Sequence, residues 1–421
     1  MVQPPAKRYA VKGGYVGSCE NPKCESDVRL FGESVDSLRL RVQNPRRSTL
    51  TLLVMLATST LLAIQVSIHS VSASNCNGTA VPGLIPLNDL GNNTYQGLEG
   101  GLYPNASNSM PQSHLDAGYQ LAKQIIPLDT AGNPSTNGKI VLVSIGMSNT
   151  LIETNGLISV AKSDPSLNPS LVIVNGAEGG EDARSIVANP GPYWSYVDNQ
   201  LTGAGVTPQQ VEAGWLKEAD ASPSGSQIAY AQTLSGQLIT ILQMMLQHFP
   251  NLKLVYLSSR IYAGYASSSL NPEPYAYTSG FSVRWTIEAQ LNGTSSMNFN
   301  ASKGPIMAPW VAWGPYMWAN GLISRSDGLT WVCSDFQSDG THPSIPQGQM
   351  KVASMLLSFF KSDPTTSSWF TKGTSSVGGV VIPIDKFLLL APYIGLGSVI
   401  AIVVSLTYAM AQKRQGERRN N

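Results

Sequence analysis

The sequence predicts a doubly wound α/β domain, and three observations carry that reading. Short, uninterrupted apolar runs recur through the middle of the chain, helical patterns alternate with them, and a Gly-rich turn follows the second run. Short apolar runs bounded by turn residues fit strands buried on both faces, as in parallel sheets covered by helices. Strands alternating with helices argue for a parallel sheet, and such sheets gather ligands at the carboxyl ends of their strands.

Taken in order, residues 75–138 are rich in Gly, Asn, Pro and Ser and hold one helical stretch near SHLDAGYQLAKQI. Regular structure then begins abruptly with KIVLVSI (139–145). SLVIVN (170–175) and NLKLVYLSS (251–259) repeat that character, and QVEAGWL (210–216) is a weaker fourth run. The clearest helix is IAYAQTLSGQLITILQMMLQHF, where Leu234, Leu238, Ile241 and Met245 share a stripe that stops before Pro250. Residues 260–331 read as an irregular, aromatic-rich insertion, and GQMKVASMLLSFFKSD closes a domain spanning 139–370 as an amphipathic helix. No internal repeat or low-complexity tract interrupts it.

The flanks predict a membrane-anchored chain of 421 residues. LTLLVMLATSTLLAIQVSI lies within 50–70 behind Arg46 and Arg47, and an uncharged stretch at 387–411 is followed by a basic tail at 412–421. Each is about the ~20 residues that span a bilayer, and basic flanks place both tails in the cytoplasm. VSAS at 71–74 also fits a signal-peptidase site; the long tail at 1–48 favours an uncleaved signal anchor. That tail reads as mostly disordered, and its two cysteines, Cys19 and Cys24, are too few for a structural zinc. Between the two apolar segments lie all five glycosylation triplets, at Asn77, Asn92, Asn105, Asn292 and Asn300, which fits an extracellular domain. Cys76 and Cys333, the remaining cysteines, form an even pair in an oxidising compartment, and a disulfide between them is expected.

Charge excludes one class of partner. Lys and Arg number 27 against 26 Asp and Glu, so no overall field attracts nucleic acid.

Candidate chemistry clusters at the ends of the runs. VSIGMSNT places Ser148 just past the first strand, VNGAEGGEDA forms a Gly-rich turn after the second, and SDGTHPS sets Asp339 three residues before His342. A serine hydroxyl needs a base to take its proton, and an aspartate can orient that base and stabilise its charged form. The chain has no G-x-S-x-G nucleophile elbow, which argues against the α/β-hydrolase family. Glu178, Glu181 and Asp182 crowd the second turn without a histidine at ligand spacing, so neither a metal nor a cofactor is expected. His114 and His248 are read as structural.

Across 139–363 these blocks resemble the SGNH hydrolase superfamily, the GDSL-type esterases and lipases. GMSN matches the nucleophile block at Gly146 and Ser148, with Met147 where the family has aspartate; NGAEGG matches the second block with Asn175 and Gly180; Asp339 and His342 match the final Asp-x-x-His. The third block, Gly-x-Asn-Asp, is missing, and GWLKEAD stands in its region. The resemblance implies a three-layer α/β/α sandwich and a serine esterase with Ser148 as nucleophile, His342 as base and Asp339 orienting it. Oxyanion donors would be Ser148, Gly180 and, in place of the missing block, Lys217 or a neighbouring amide.

Tyr262, Tyr265, Tyr275, Tyr277, Trp310, Trp313 and Trp318 either line a cleft for sugar rings, with Asn149, Arg260 and Glu273 as polar substrate contacts, or pack the insertion against the core, since amphipathic aromatics serve both purposes. The functional expectation is an extracellular membrane-anchored esterase acting on ester substrates such as O-acyl groups of surface glycans. Its rival is a weak or inactive protein of the same fold that binds a glycan or a partner through the aromatic cleft.

Overall fold

The computed structural model describes Cys76 and residues 80–372. After a short helix α1 (Leu87–Leu90), a two-stranded hairpin β1 (Thr94–Tyr95) and β2 (Leu98–Glu99), and helix α2 (Gln112–Ala122), the chain enters its main sheet. The strands are β3 (Ile140–Gly146), β4 (Leu171–Asn175), β5 (Val211–Lys217), β6 (Leu254–Leu257) and β7 (Trp310–Trp313). They lie in the order β4-β3-β5-β6-β7, and every neighbouring pair is parallel. The chain therefore reverses its winding between β3 and β5, which opens a crevice at their carboxyl ends.

Successive side chains of a strand point to opposite faces. Every residue of β3, β5, β6 and β7 is buried, so both faces of the sheet are covered. The cover comes from α3 (Ser148–Lys162), α4 (Ala183–Ala188), α5 (Pro190–Gly203), α6 (Gln227–His248), α7 (Tyr275–Leu291), α8 (Gln347–Ser362) and the short α9 (Ser367–Phe370). Helix α3 packs on α8 and α6 on α7. The stripe expected on α6 is its buried side: Leu234, Leu238, Ile241 and Met245 are all inside. Ser226 caps that helix by accepting the Ala229 N–H.

Residues 260–331 depart from the expectation. Far from an irregular insertion, they hold α7 and the fifth strand β7. Tyr262, Tyr265, Tyr277, Trp310, Trp313 and Trp318 are no more than 5% exposed, and among these aromatics Tyr277 stands edge-on to Trp318 and Tyr262 edge-on to Tyr265. Each such side chain removes roughly 150–250 Å² from water, worth about 4–6 kcal/mol at ~25 cal/mol/Å². They make a core and not a glycan cleft.

His114 is also a core residue: it stacks on Trp310 and its Nε2 meets the Val311 carbonyl at 2.9 Å, while burial holds its pKa below the usual value. A disulfide joins Cys76 to Cys333, with 5.5 Å between the two Cα atoms. Asn92, Asn105 and Asn292 are exposed; Asn300 is half-buried, with its Oδ1 accepting the Ser302 N–H. Asn77 and the segments 50–70 and 387–411 lie outside the described residues, among which no helix is long and apolar enough to cross a membrane.

Candidate active site

Ser148 is the first residue of α3, two residues past Gly146 at the end of β3, with Met147 between them. The strand-to-helix turn is tight because Gly146 has no side chain: a Cβ there would collide with the Lys217 carbonyl and the Thr150 hydroxyl. That hydroxyl donates to the Lys217 carbonyl at 2.6 Å, fixing the first turn of α3 to the end of β5.

From 194 residues further along, His342 brings its Nε2 to 2.7 Å from Ser148 Oγ. Its Nδ1 is held by Asp339 Oδ2 in a short contact. The other carboxylate oxygen, Oδ1, accepts the N–H groups of Thr341 and His342, each at 3.0 Å. Burial alone would raise the Asp339 pKa; the imidazole and the two N–H groups outweigh it and hold the carboxyl below its ordinary range. The carboxylate thus fixes both the imidazole and the loop that carries it. With Nδ1–H on Asp339, Nε2 is free to accept the serine proton.

The Gly-rich turn after β4 lies across the nucleophile. Glu178 N–H donates to the Gly146 carbonyl at 2.9 Å, and a Cβ built on Gly179 would sit 4.0 Å from Ser148 Cβ. Tyr193 braces this arrangement, accepting the Gly146 N–H at 3.1 Å and donating to the Gly176 carbonyl at 2.9 Å, while Tyr196 donates to the Ala177 carbonyl. Asn175 works underneath: its Oδ1 accepts the Ala177 N–H and the Ser144 hydroxyl, and its Nδ2 donates to the Leu151 carbonyl. The turn thus passes beside Ser148 at Gly179.

Five expected contacts need correction. Lys217 is 1% exposed and its Nζ bonds both oxygens of Glu153, at 2.6 and 2.7 Å, so the ammonium is spent inside the fold and does not supply the third oxyanion donor. Burial draws Lys217 down to about 8 and pushes the Glu153 carboxyl up. Asn149 is buried and donates to the Thr341 carbonyl at 3.1 Å, which ties the nucleophile's helix to the histidine's loop and leaves no amide for substrate. Glu273 is occupied by the Ala263 and Tyr277 N–H groups and by Trp318 Nε1 at 2.7 Å. Arg260 and Tyr262 are 1% and 0% exposed and present nothing to the surface crevice.

Sequence reasoning missed Tyr193, Tyr196, Thr150 and Glu153 as supports of this site. Thr150 and Glu153, two and five residues beyond Ser148, share a face with each other and not with the nucleophile, so their spacing gave no signal. Nothing in the sequence around Tyr193 marks it. His248, read as structural, stacks on Trp194 and meets Asp198 Oδ1 at 2.8 Å, away from the site.

No family model and no curated protein matches this chain. Solved structures that resemble it include a GDSL-like lipase from Bacteroides thetaiotaomicron, with 11% identity, TM-score 0.30, and 57% of this chain and 96% of that one covered. A lipase from a goat rumen metagenome shows 12% identity, TM-score 0.29, and coverage of 52% and 97%. The C-terminal catalytic domain of a Streptococcus pneumoniae peptidoglycan O-acetyltransferase shows 11% identity, TM-score 0.28, and coverage of 55% and 96%. At this level of likeness the functional reading rests on the chain's own residues.

Proposed function

We propose that the domain is a serine ester hydrolase. The observation that carries this is the relay from Ser148 Oγ through His342 to Asp339, assembled from residues far apart in the chain at the carboxyl end of a parallel sheet. A lone serine or a lone Asp-His turn is common; the 2.7 Å contact between nucleophile and base is what chemistry requires.

In the proposed mechanism, Ser148 Oγ attacks the ester carbonyl as His342 Nε2 takes its proton. The carbonyl carbon becomes tetrahedral, and the amides of Ser148 and the Gly179–Gly180 turn receive the negative oxygen. His342 then protonates the departing alcohol, leaving an acyl group on Ser148. Water, deprotonated by the same imidazole, attacks the acyl-enzyme, and the proton returns to Ser148 as the acid leaves. Asp339 keeps the imidazole in the required tautomer throughout. With Lys217 bound to Glu153, no third donor of the expected kind faces the oxyanion, so turnover is expected to be modest, since one such donor is worth about 10²–10³ in rate.

The finer features follow as part of the same proposal: an extracellular domain held by membrane segments at 50–70 and 387–411, acting on O-acyl groups of surface glycans. Its support is the basic flanks, the exposed asparagines of three glycosylation triplets and the disulfide. The rival, a weak or inactive protein of the same fold, keeps the missing third block in its favour but loses the expected aromatic cleft, whose tryptophans and most of whose tyrosines are core. The test is hydrolysis of p-nitrophenyl acetate and butyrate by the full chain beside Ser148→Ala. Serine-dependent turnover supports the proposal; equal background rates for both proteins contradict it.

A further inference from the structure

A fully buried cation without an acceptor is the least explained feature of the molecule. Arg260 lies three residues beyond the end of β6, on the carboxyl edge of the sheet from which Ser148 also projects. It is 1% exposed, and none of its Nε, Nη1 and Nη2 atoms meets a protein acceptor. Leaving a buried guanidinium unpaired is among the more costly arrangements in a protein interior.

The carboxyl groups nearest in electrostatic reach are Glu153, Glu273 and Glu218. Glu153 gives both oxygens to Lys217, and Glu273 accepts three N–H groups. Glu218, one residue past β5, accepts the Ala219 N–H through Oε2, while its Oε1 has no partner. Burial pushes that carboxyl well above its ordinary value, while the nearby Arg260 charge draws it down.

The neighbouring segments repeat the pattern. Ser259 Oγ and Tyr262 OH, either side of Arg260, and Thr341 Oγ1, between Asp339 and His342, are buried and also unpartnered. The catalytic loop is pressed against the chain that follows Arg260. Ser267 N–H donates to the Asp339 carbonyl at 3.0 Å, and Gly340 lies so close to the Tyr265 carbonyl that a Cβ there would overlap it. Beside Glu218 Oε1, these unpartnered groups are a cation and hydroxyls, which can all donate.

We propose that Arg260 anchors a binding site for a small monovalent anion, of halide or formate size, in the interior beneath the catalytic loop. The anion accepts from the guanidinium and from hydroxyls around it, and its presence holds the 259–267 segment against the Asp339–His342 loop. A free inorganic anion and the carboxylate of a small acid share this chemistry. The inference is independent of the esterase proposal, because its primary readout is binding.

The test uses the full chain. Thermal unfolding is followed while sodium gluconate is replaced by sodium chloride, bromide or formate at constant ionic strength. A Tm rise of a few degrees that saturates with the small anions is expected, as ligand binding to the native state requires. In Arg260→Met the anion-specific rise disappears. Should that variant fail to fold, bromide-soaked crystals of the unaltered protein replace it, with an anomalous peak expected within hydrogen-bond distance of the guanidinium. Halide and formate acting alike indicates any small anion; formate alone acting indicates a carboxylate ligand; both support the site. A Tm that follows ionic strength alone, or an anion effect unchanged in Arg260→Met, overturns it, as does a bromide map with water only at the guanidinium.

Discussion

Removing Lys217 isolates the contribution of the buried ion pair beneath the nucleophile. In Lys217→Met, Glu153 loses two hydrogen bonds, at 2.6 and 2.7 Å, at a position that is 0% exposed. Breaking a buried pair while leaving one partner behind costs about 3–5 kcal/mol. At the roughly 2 °C per kcal/mol expected of a large domain, Tm should fall by about 6–10 °C. Converting the partner as well, in Lys217→Met with Glu153→Leu, removes the orphaned carboxyl and should recover most of the loss, since apolar replacement of a buried pair is often neutral. Thermal unfolding of the wild type, both single variants and the double variant forms a complete cycle. A fall below about 1 kcal/mol in Lys217→Met, or a double variant no more stable than the single, would refute the view that this pair clamps α3 to β5.

Three further predictions concern the site and its frame. Asp339→Asn keeps an oxygen for the Thr341 and His342 N–H groups but disturbs the imidazole tautomer, so kcat for ester hydrolysis should drop by about 10⁴ with little change in the far-ultraviolet spectrum. Asn149→Ala should lower kcat and leave KM nearly unchanged, because its amide serves the Thr341 carbonyl; a raised KM at constant kcat would show a substrate contact instead. Asp164, paired with Lys361 and hydrogen-bonded to Ser166, has its pKa drawn from 3.8 to about 2. A carboxyl depressed on folding contributes stability above its unfolded value that is lost as pH falls through the folded one. Acid unfolding followed from pH ~4 to ~2 should therefore be less steep in Asp164→Asn than in the wild type.

The sheet was legible where burial was symmetrical. KIVLVSI and NLKLVYLSS are largely apolar because the strands they supply, β3 and β6, are buried on both faces, whereas SLVIVN supplies the edge strand β4, which is only partly buried. The fifth strand was missed for a physical reason: in APWVAWGP the tryptophans that build its two faces also suit a ligand cleft, and composition does not distinguish a buried ring from one awaiting a sugar. At the site, the three residues of the relay were legible because each ends or follows a recognisable element. Their supports were not. Lys217 read as a donor for substrate because its partner, Glu153, lies 64 residues earlier in the chain, and Asn149 read as a contact because it adjoins Ser148. Both point inward, a direction fixed by the packing of α3 on its neighbours and absent from local sequence.

The central claim is that Ser148 is an activated nucleophile, and covalent labelling addresses it most directly. The full chain is treated with a fluorophosphonate at neutral pH, digested and mapped by mass spectrometry, beside Ser148→Ala and His342→Ala. One adduct is expected, on Ser148, formed quickly in the wild type, sharply slowed in His342→Ala and absent from Ser148→Ala. An unlabelled wild-type protein, or labelling of Ser148 at the same rate without His342, would contradict it.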